Sequence, residues 1–201
     1  LIARFWDVNS GEILIGGENI KDYKIEKLMN SISMVFQDVY LFEDTIENNI
    51  KFGKQNASHD EVVEAAKKAR CHEFIEALPE GYNTIIGEGG ASLSGGEKQR
   101  ISIARAMLKD ADIIIFDEAT ASIDPENEDK LKEAIESLTK NKTVIMIAHR
   151  LKTIRNADQI LVLKDGEIVE RGNHEELIKN NGLYSDLINA KAKAESWKLN
   201  N

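Results

Sequence analysis

Ser94-Gly95-Gly96-Glu97 opens a stretch in which Ile101, Ala104 and Leu108 recur at helical spacing. Two glycines ahead of a helix let backbone N–H groups come close to an anion, and the helix N-terminus adds a favourable dipole. The chemistry this suits is phosphate binding. One helix later, Ile113-Ile114-Ile115-Phe116 runs into Asp117-Glu118. The β-branched run reads as a buried strand. Two carboxylates at its carboxyl end cost solvation unless they hold a metal or orient a water. Each motif alone has an ordinary alternative: a plain loop-to-helix junction for the first, a solvated loop or helix cap for the second. In this order, one amphipathic helix apart, the pair is far more specific.

The elements that must position these residues are legible on either side. Ile32–Phe36 reads as a strand followed by Gln37, and Thr143–Ala148 as a buried strand followed by His149. A lone glutamine there is ordinarily a surface residue, and a lone histidine ordinarily a structural one. Ser58-His59-Asp60-Glu61 is a capping box for a helix whose apolar face is Val62, Ala65, Ala66 and Ala69. Asp124-Pro125, with Glu126 and Glu128, starts another helix with the stripe Leu131, Ala134, Ile135 and Leu138. Leu1–Trp6 reads as the last turn or two of a helix, Glu12–Ile15 as a short strand, and Gly16-Gly17 as a hairpin connection. Glu73–Leu78 reads as helical and is broken at Pro79-Glu80-Gly81-Tyr82; Thr84–Ser92 is glycine-rich. Near the end, Ile160–Leu163, Asp165-Gly166 and Ile168–Val169 form a hairpin. Asn173 with Glu176 caps a short helix, and Leu183–Leu187 begins a last one.

Composition narrows the classes. The chain has 201 residues, 42% of them hydrophobic, enough for one domain with a real core. Acidic residues number 35 against 26 basic, a net charge of −9, with no long basic run; this argues against a general nucleic-acid binder. Cys71 is the only cysteine, so an internal disulfide and a cysteine-based zinc site are both excluded. Runs such as Ile113–Phe116 and Val144–Ala148 are far too short to span a bilayer as helices. The chain opens Leu-Ile-Ala-Arg-Phe-Trp, without Met or a signal-peptide pattern, and is expected to be a fragment of a longer protein.

The segment 93–124 resembles the signature and Walker B motifs of ABC-type ATPases, the nucleotide-binding domains of ABC transporters. Nearly the whole chain shares the likeness. Arg4, Phe5, Asp7, Ser10, Gly11, Glu12, Ile13 and Gly17 match the string that follows the Walker A loop and helix in that family. The loop itself, G-x-x-x-x-G-K-[ST], does not occur in these residues. Gln37 falls at the family's Q-loop, Ala119–Asp124 at its D-loop and His149 at its switch histidine. Asp38–Phe42 and Thr45–Ile50 look like the exporter branch, in which Leu41, Phe42 and Ile46 would belong to a docking surface for transmembrane coupling helices; as residues they read equally as core. The match at Ile86-Gly87-Glu88-Gly89-Gly90 is looser and carries only a location.

The resemblance implies a P-loop NTPase-like α/β core with a mostly parallel sheet (1–37 and 101–201), a helical subdomain at about 38–100, and a small antiparallel portion near the N-terminus. It implies ATP as substrate, Mg²⁺ held by Asp117, and Glu118 polarising the attacking water. His149 would contact the γ-phosphate, and Gln37 would sense metal and water. Ser94, Gly95, Gly96 and Glu97 would face the ATP of a second nucleotide-binding domain in a head-to-tail dimer, with Asp124 at the dimer contact or capping its helix. The partners implied are that second domain and a transmembrane domain, with no nucleic acid. The place implied is the cytoplasmic face of the cell membrane. Without a Walker A loop the chain itself is expected to be inactive. Two other readings stay open: an ABC-type ATPase of DNA repair or chromosome organisation, against which the short insert of about 56–90 and the acidic balance argue, and a non-catalytic regulatory ABC domain, against which Glu118 and His149 argue.

Overall fold

The computed structural model describes residues 1–87, 93–117, 125–147 and 154–190. The chain divides into two compact units, Leu1–Ile147 and Ala148–Asn201.

The first unit is built on a parallel sheet in the order β3 (Ile32–Val35), β6 (Ile113–Asp117), β7 (Thr143–Ile147). Val35 pairs with Phe116, Phe116 with Met146, and Asp117 with Ile147. Alternation sorts the side chains. Val35, Ile114 and Phe116 enter one core; Ile32, Ile113, Met34 and Ile115 enter another. The first core is roofed by α5 (Gly95–Lys109) and continues into α6 (Pro125–Thr139), α2 (Ile46–Lys51) and α3 (His59–Lys68). The second is covered by Leu28 of α1 (Ile25–Ser31) with Ala3 and Ile20. Helices thus cover both faces, as a parallel sheet requires. Each fully buried residue such as Phe116 or Ile101 removes apolar surface worth about 1.5–3 kcal/mol.

Smaller elements complete this unit. The hairpin β1 (Leu14–Ile15) and β2 (Glu18–Asn19) turns through Gly16 and Gly17, both at positive φ (58° and 84°), the two-residue turn that favours glycine. Strand β4 (Asp44–Thr45) pairs with β5 (Ile85–Ile86), and α4 (His72–Glu76) and a 3₁₀ turn (Gly81–Asn83) lie between α3 and β5. In the second unit, β8 (Ile160–Lys164) and β9 (Glu167–Gly172) form a hairpin turned by Asp165 and Gly166, both left-handed. Ile160, Val162, Leu177 and Tyr184 make its core, with Leu177 on α7 (His174–Lys179) and Tyr184 on the helix over 183–190.

Four local expectations are corrected. The strand expected to be buried over Thr143–Ala148 is largely exposed: in β7 Thr143, Val144 and Ile147 are exposed and Ile145 and Met146 half-buried, β7 pairing only with β6 among the described residues. Leu1–Trp6 is not helical: Arg4 N–H bonds Leu1 O at 2.8 Å and Arg4 takes a left-handed φ of 55°, closing a turn instead. The segment Glu73–Leu78 ends early, at Glu76. The helix after Gly96 is not amphipathic: Gln99, Arg100, Ile101, Ser102, Ile103 and Ala104 are all buried. A helix packed on all sides carries its polar residues inward, which blurs the periodicity.

Candidate functional site at the carboxyl edge of the sheet

The orientation of α5 decides where its first turn points. Near one end of the helix, Gln99 Nε2 donates to Phe36 O at 3.3 Å; at the other, Lys109 Nζ donates to Ile32 O at 2.7 Å. Ten helical residues span about 15 Å, and four strand residues about 13 Å. The two bonds therefore fix α5 antiparallel to β3, with its N-terminus toward the carboxyl ends of the strands. Ser94 lies about 7 Å further along the helix than Gln99. In open parallel sheets that edge is where ligands bind.

Gln37 is exposed two residues past Val35, and Asp117 is the exposed last residue of the neighbouring strand β6. The register thus brings Gln37, Asp117 and the opening turn of α5 to one edge. Glu118, Asp124 and His149 lie outside the described residues, as do Glu88, Gly89 and Gly90 of the glycine-rich stretch.

The turn itself is a capping box. Ser94 Oγ accepts from Glu97 N–H at 3.3 Å, and Glu97 Oε2 accepts from Ser94 N–H at 2.8 Å. Glu97 is thereby occupied in holding the turn shut, while the Ser94 hydroxyl acts as acceptor in this box and still carries a proton it can donate. A Cβ placed on Gly95 would meet nothing within 4 Å among the described residues. Among the described residues nothing demands a glycine there, and the small residue leaves room for an approach from outside. Three properties suit a polyphosphate: small residues, a dipole of fifteen aligned peptides, and backbone donors left over at the N-terminus. Asp117 suits a hard cation that takes one or two carboxylates and completes its shell with phosphate oxygens and water. No cluster of three metal-ligating groups occurs among the described residues.

Next to this edge lies the segment from Phe36 to Gly53. Leu41 and Ile46 are fully buried and belong to the core. The exposed side chains are aromatic: Tyr40 (50% exposed), Phe42 (37%) and Phe52 (62%). Phe42 stacks on Phe52 with centroids 4.4 Å apart and meets the edge of Tyr40 at 5.0 Å. Three adjoining exposed rings mark an interaction surface more strongly than scattered ones. Beneath them, Arg105 of α5 donates to Asn49 O, Asn49 Oδ1 and Tyr40 O at 2.5, 2.6 and 2.7 Å. Burial pushes its pKa down to about 10.

Phe52, Asn49, Gln99, Arg105 and Lys109 escaped the sequence reading. For Gln99, Arg105 and Lys109 the available signal was polar residues interleaved with the apolar positions of α5, since such groups pack inward when bonded; Phe52 and Asn49 carried no such signal. Behind this surface Lys51 (2.6 Å) and His59 (2.7 Å) bond Glu47; partial burial works against its charged form, and these two partners outweigh it and hold its carboxyl below the usual range.

A family model described as ABC transporter matches residues 1–121. The chain is 52% identical over 188 residues to an ATP-dependent lipid A-core flippase of Haemophilus influenzae, covering 93% of this chain and 32% of that protein. It is 55% identical over 187 residues to a protein of the same name from Syntrophus aciditrophicus, covering 93% and 31%. It is 49% identical to ABC transporter B family member 2 of Dictyostelium discoideum, covering 96% and 14%. Among solved structures, a bacterial Atm1-family ABC exporter with ATP bound matches at a TM-score of 0.88 and 43% identity, covering 95% of this chain and 33% of that one. The chain spans about a third of the length of the flippases it matches.

Proposed function

The chain belongs to the ABC transporter family, and from that premise we propose that it is the ATP-hydrolysing part of an exporter, working with a transmembrane domain at the cytoplasmic face of a membrane. The observation that carries the reading is the carboxyl edge of the sheet, where the N-terminus of α5, Gln37 and Asp117 converge. No helix among the described residues is long and apolar enough to cross a membrane, so in this proposal that work falls to the partner domain. The names of the relatives, flippase and exporter, favour transport over a DNA-repair or chromosome-organising ATPase.

In this reading the substrate is ATP. These 201 residues contain no G-x-x-x-x-G-K-[ST] string, so the lysine and loop amides that grip the β- and γ-phosphates come from outside them. Mg²⁺, when bound, offsets phosphate charge in the transition state, and Asp117 is the residue that would hold it. Glu118, next in sequence, takes a proton from the attacking water. His149 holds the γ-phosphate, and Gln37 reports on metal and water at the strand end. Ser94, Gly95 and Gly96 donate to the γ-phosphate of ATP carried by a second nucleotide-binding domain, with Glu97 bracing their turn and Asp124 contributing at the contact between the two. Tyr40, Phe42 and Phe52 meet the end of a transmembrane-domain helix. We keep residues 38–100 as the helical subdomain that carries this surface.

The test is Glu118→Gln in the full-length protein. The amide is isosteric but cannot take the proton. ATP binding should persist while turnover falls by a factor of about 10²–10⁴, and the ATP-closed dimer should accumulate on size exclusion. Turnover near the unmodified rate would remove Glu118 from the role of base.

A further inference from the structure

We propose that Arg105 and Asn49 are positioning residues that clamp the aromatic surface of Tyr40, Phe42 and Phe52 to α5, so that movement of that surface moves the Ser94–Gly96 turn with it. The inference rests on the functional reading above and adds the device that would couple its two ends.

The guanidinium uses all three nitrogens. Nε donates to Asn49 O at 2.5 Å, Nη2 to Asn49 Oδ1 at 2.6 Å and Nη1 to Tyr40 O at 2.7 Å, while its carbon stands 5.8 Å from the Phe42 ring centre. Asn49 completes the knot: its Oδ1 also accepts from Phe42 N–H at 2.9 Å, and its Nδ2 donates to Phe42 O and Thr45 O, each at 3.0 Å. One guanidinium and one carboxamide thereby fix the backbone on both sides of the exposed rings. Gly53 brings the end of α2 equally close, since a Cβ there would sit 2.1 Å from Arg105 O.

Apolar packing alone would attach these helices, because Ile46, Ile50, Ile101 and Ala104 already share one core. The attraction behind such packing is non-directional. A forked set of bonds from one half-buried guanidinium is directional, since its three acceptors must hold their positions together. What the pair adds to the apolar contact is therefore a fixed orientation. Arg105 lies eleven residues from Ser94 on the same unbroken helix, about 16 Å away, so a rotation imposed at one end is carried to the other.

Amide hydrogen exchange on the full-length protein in phosphatidylcholine vesicles, with and without Mg·ATP plus orthovanadate, tests this. In the unmodified protein, trapping should slow exchange in both 93–100 and 36–53. Arg105→Lys keeps the charge but loses the fork. Asn49→Asp keeps the acceptor for Arg105 but sets a carboxylate oxygen against the carbonyls of Phe42 and Thr45. In both variants the response of 93–100 should persist while that of 36–53 shrinks about fivefold or more. Retention of both responses in both variants would overturn the clamp alone. Loss of both in step with a lowered Tm, or failure of both variants to fold, would make the pair a structural brace and overturn it too. Absence of any response at 93–100 in the unmodified protein would refute the ATP reading of that turn, and the clamp would fall with it.

Discussion

Cys71 sits fully buried at the start of α4, its thiol donating to Ala66 O at 3.4 Å. Burial pushes its pKa up from 9.0 to about 12, against the nearby positive charge of Arg100. At pH 8 the thiolate is then roughly a thousandfold scarcer than in the unfolded chain. The folded protein should accordingly resist iodoacetamide and react only in denaturant; labelling of native protein at near the denatured rate would contradict its burial. The same shift bears on stability. The folded state keeps this proton up to about pH 12 while the unfolded chain releases it near 9, so the contribution is fully present below pH 9 and is lost as pH rises toward 12. A denaturant midpoint that falls more steeply across that alkaline window in the parent than in a Cys71→Ala variant is the expected signature, because burial also raises the pKa of Tyr82 and leaves part of the fall in both. The residue is a packing piece of the core that joins α3, α4 and α5.

At the scale of elements, the opening of α5 separates what the fold needs from what the function needs. Ser94→Ala removes a cap oxygen and should cost about 1 kcal/mol of stability, read as a lower Tm. Gly95→Ala adds a methyl into open space on a helix position where alanine is the better residue, so stability should hold or rise by a few tenths to about 1 kcal/mol. In the full-length protein Gly95→Ala or a bulkier Gly95→Leu should nonetheless hinder closure of the ATP dimer, while ATP still binds one subunit. Loss of single-subunit binding by the glycine variants would place this turn in the same subunit's pocket instead. This element also shows how far the sequence could be read. Ser94, Gly95, Gly96, Asp117 and the strand Ile113–Phe116 were visible because turn chemistry and β-branched runs are local signals. The same is true of the capping boxes at Ser58 and Asn173, both of which form. The direction of α5 was not visible, because it rests on Gln99 reaching Phe36, 63 residues away. Nor was the bond from Arg105 to Asn49, across 56 residues. The open turn at Leu1–Trp6 misled for the same reason: a short apolar string carries no statement about what packs on it.

For the whole chain, the decisive quantity is what the described sheet lacks around it. Among the described residues β7 pairs only with β6, and on it Val144 is 38% and Ile147 53% exposed. Parallel strands are ordinarily buried on both faces, and an open edge invites pairing with another chain. The sequence likewise supplies a signature turn, a Gln37 and an Asp117 but no G-x-x-x-x-G-K-[ST] loop, and that loop carries most of the contacts to a bound triphosphate. Expressed as these 201 residues alone, the chain should therefore bind Mg·ATP negligibly in calorimetry, even where circular dichroism shows the helices formed. It should also self-associate with rising concentration, and Val144→Lys on the open strand should reduce that association by placing a charge at the edge. Cooperative unfolding of a monomer with micromolar ATP affinity would refute the prediction on both counts. It would mean that the phosphates are gripped by residues of this chain that neither the turn at Ser94 nor the strand ends account for.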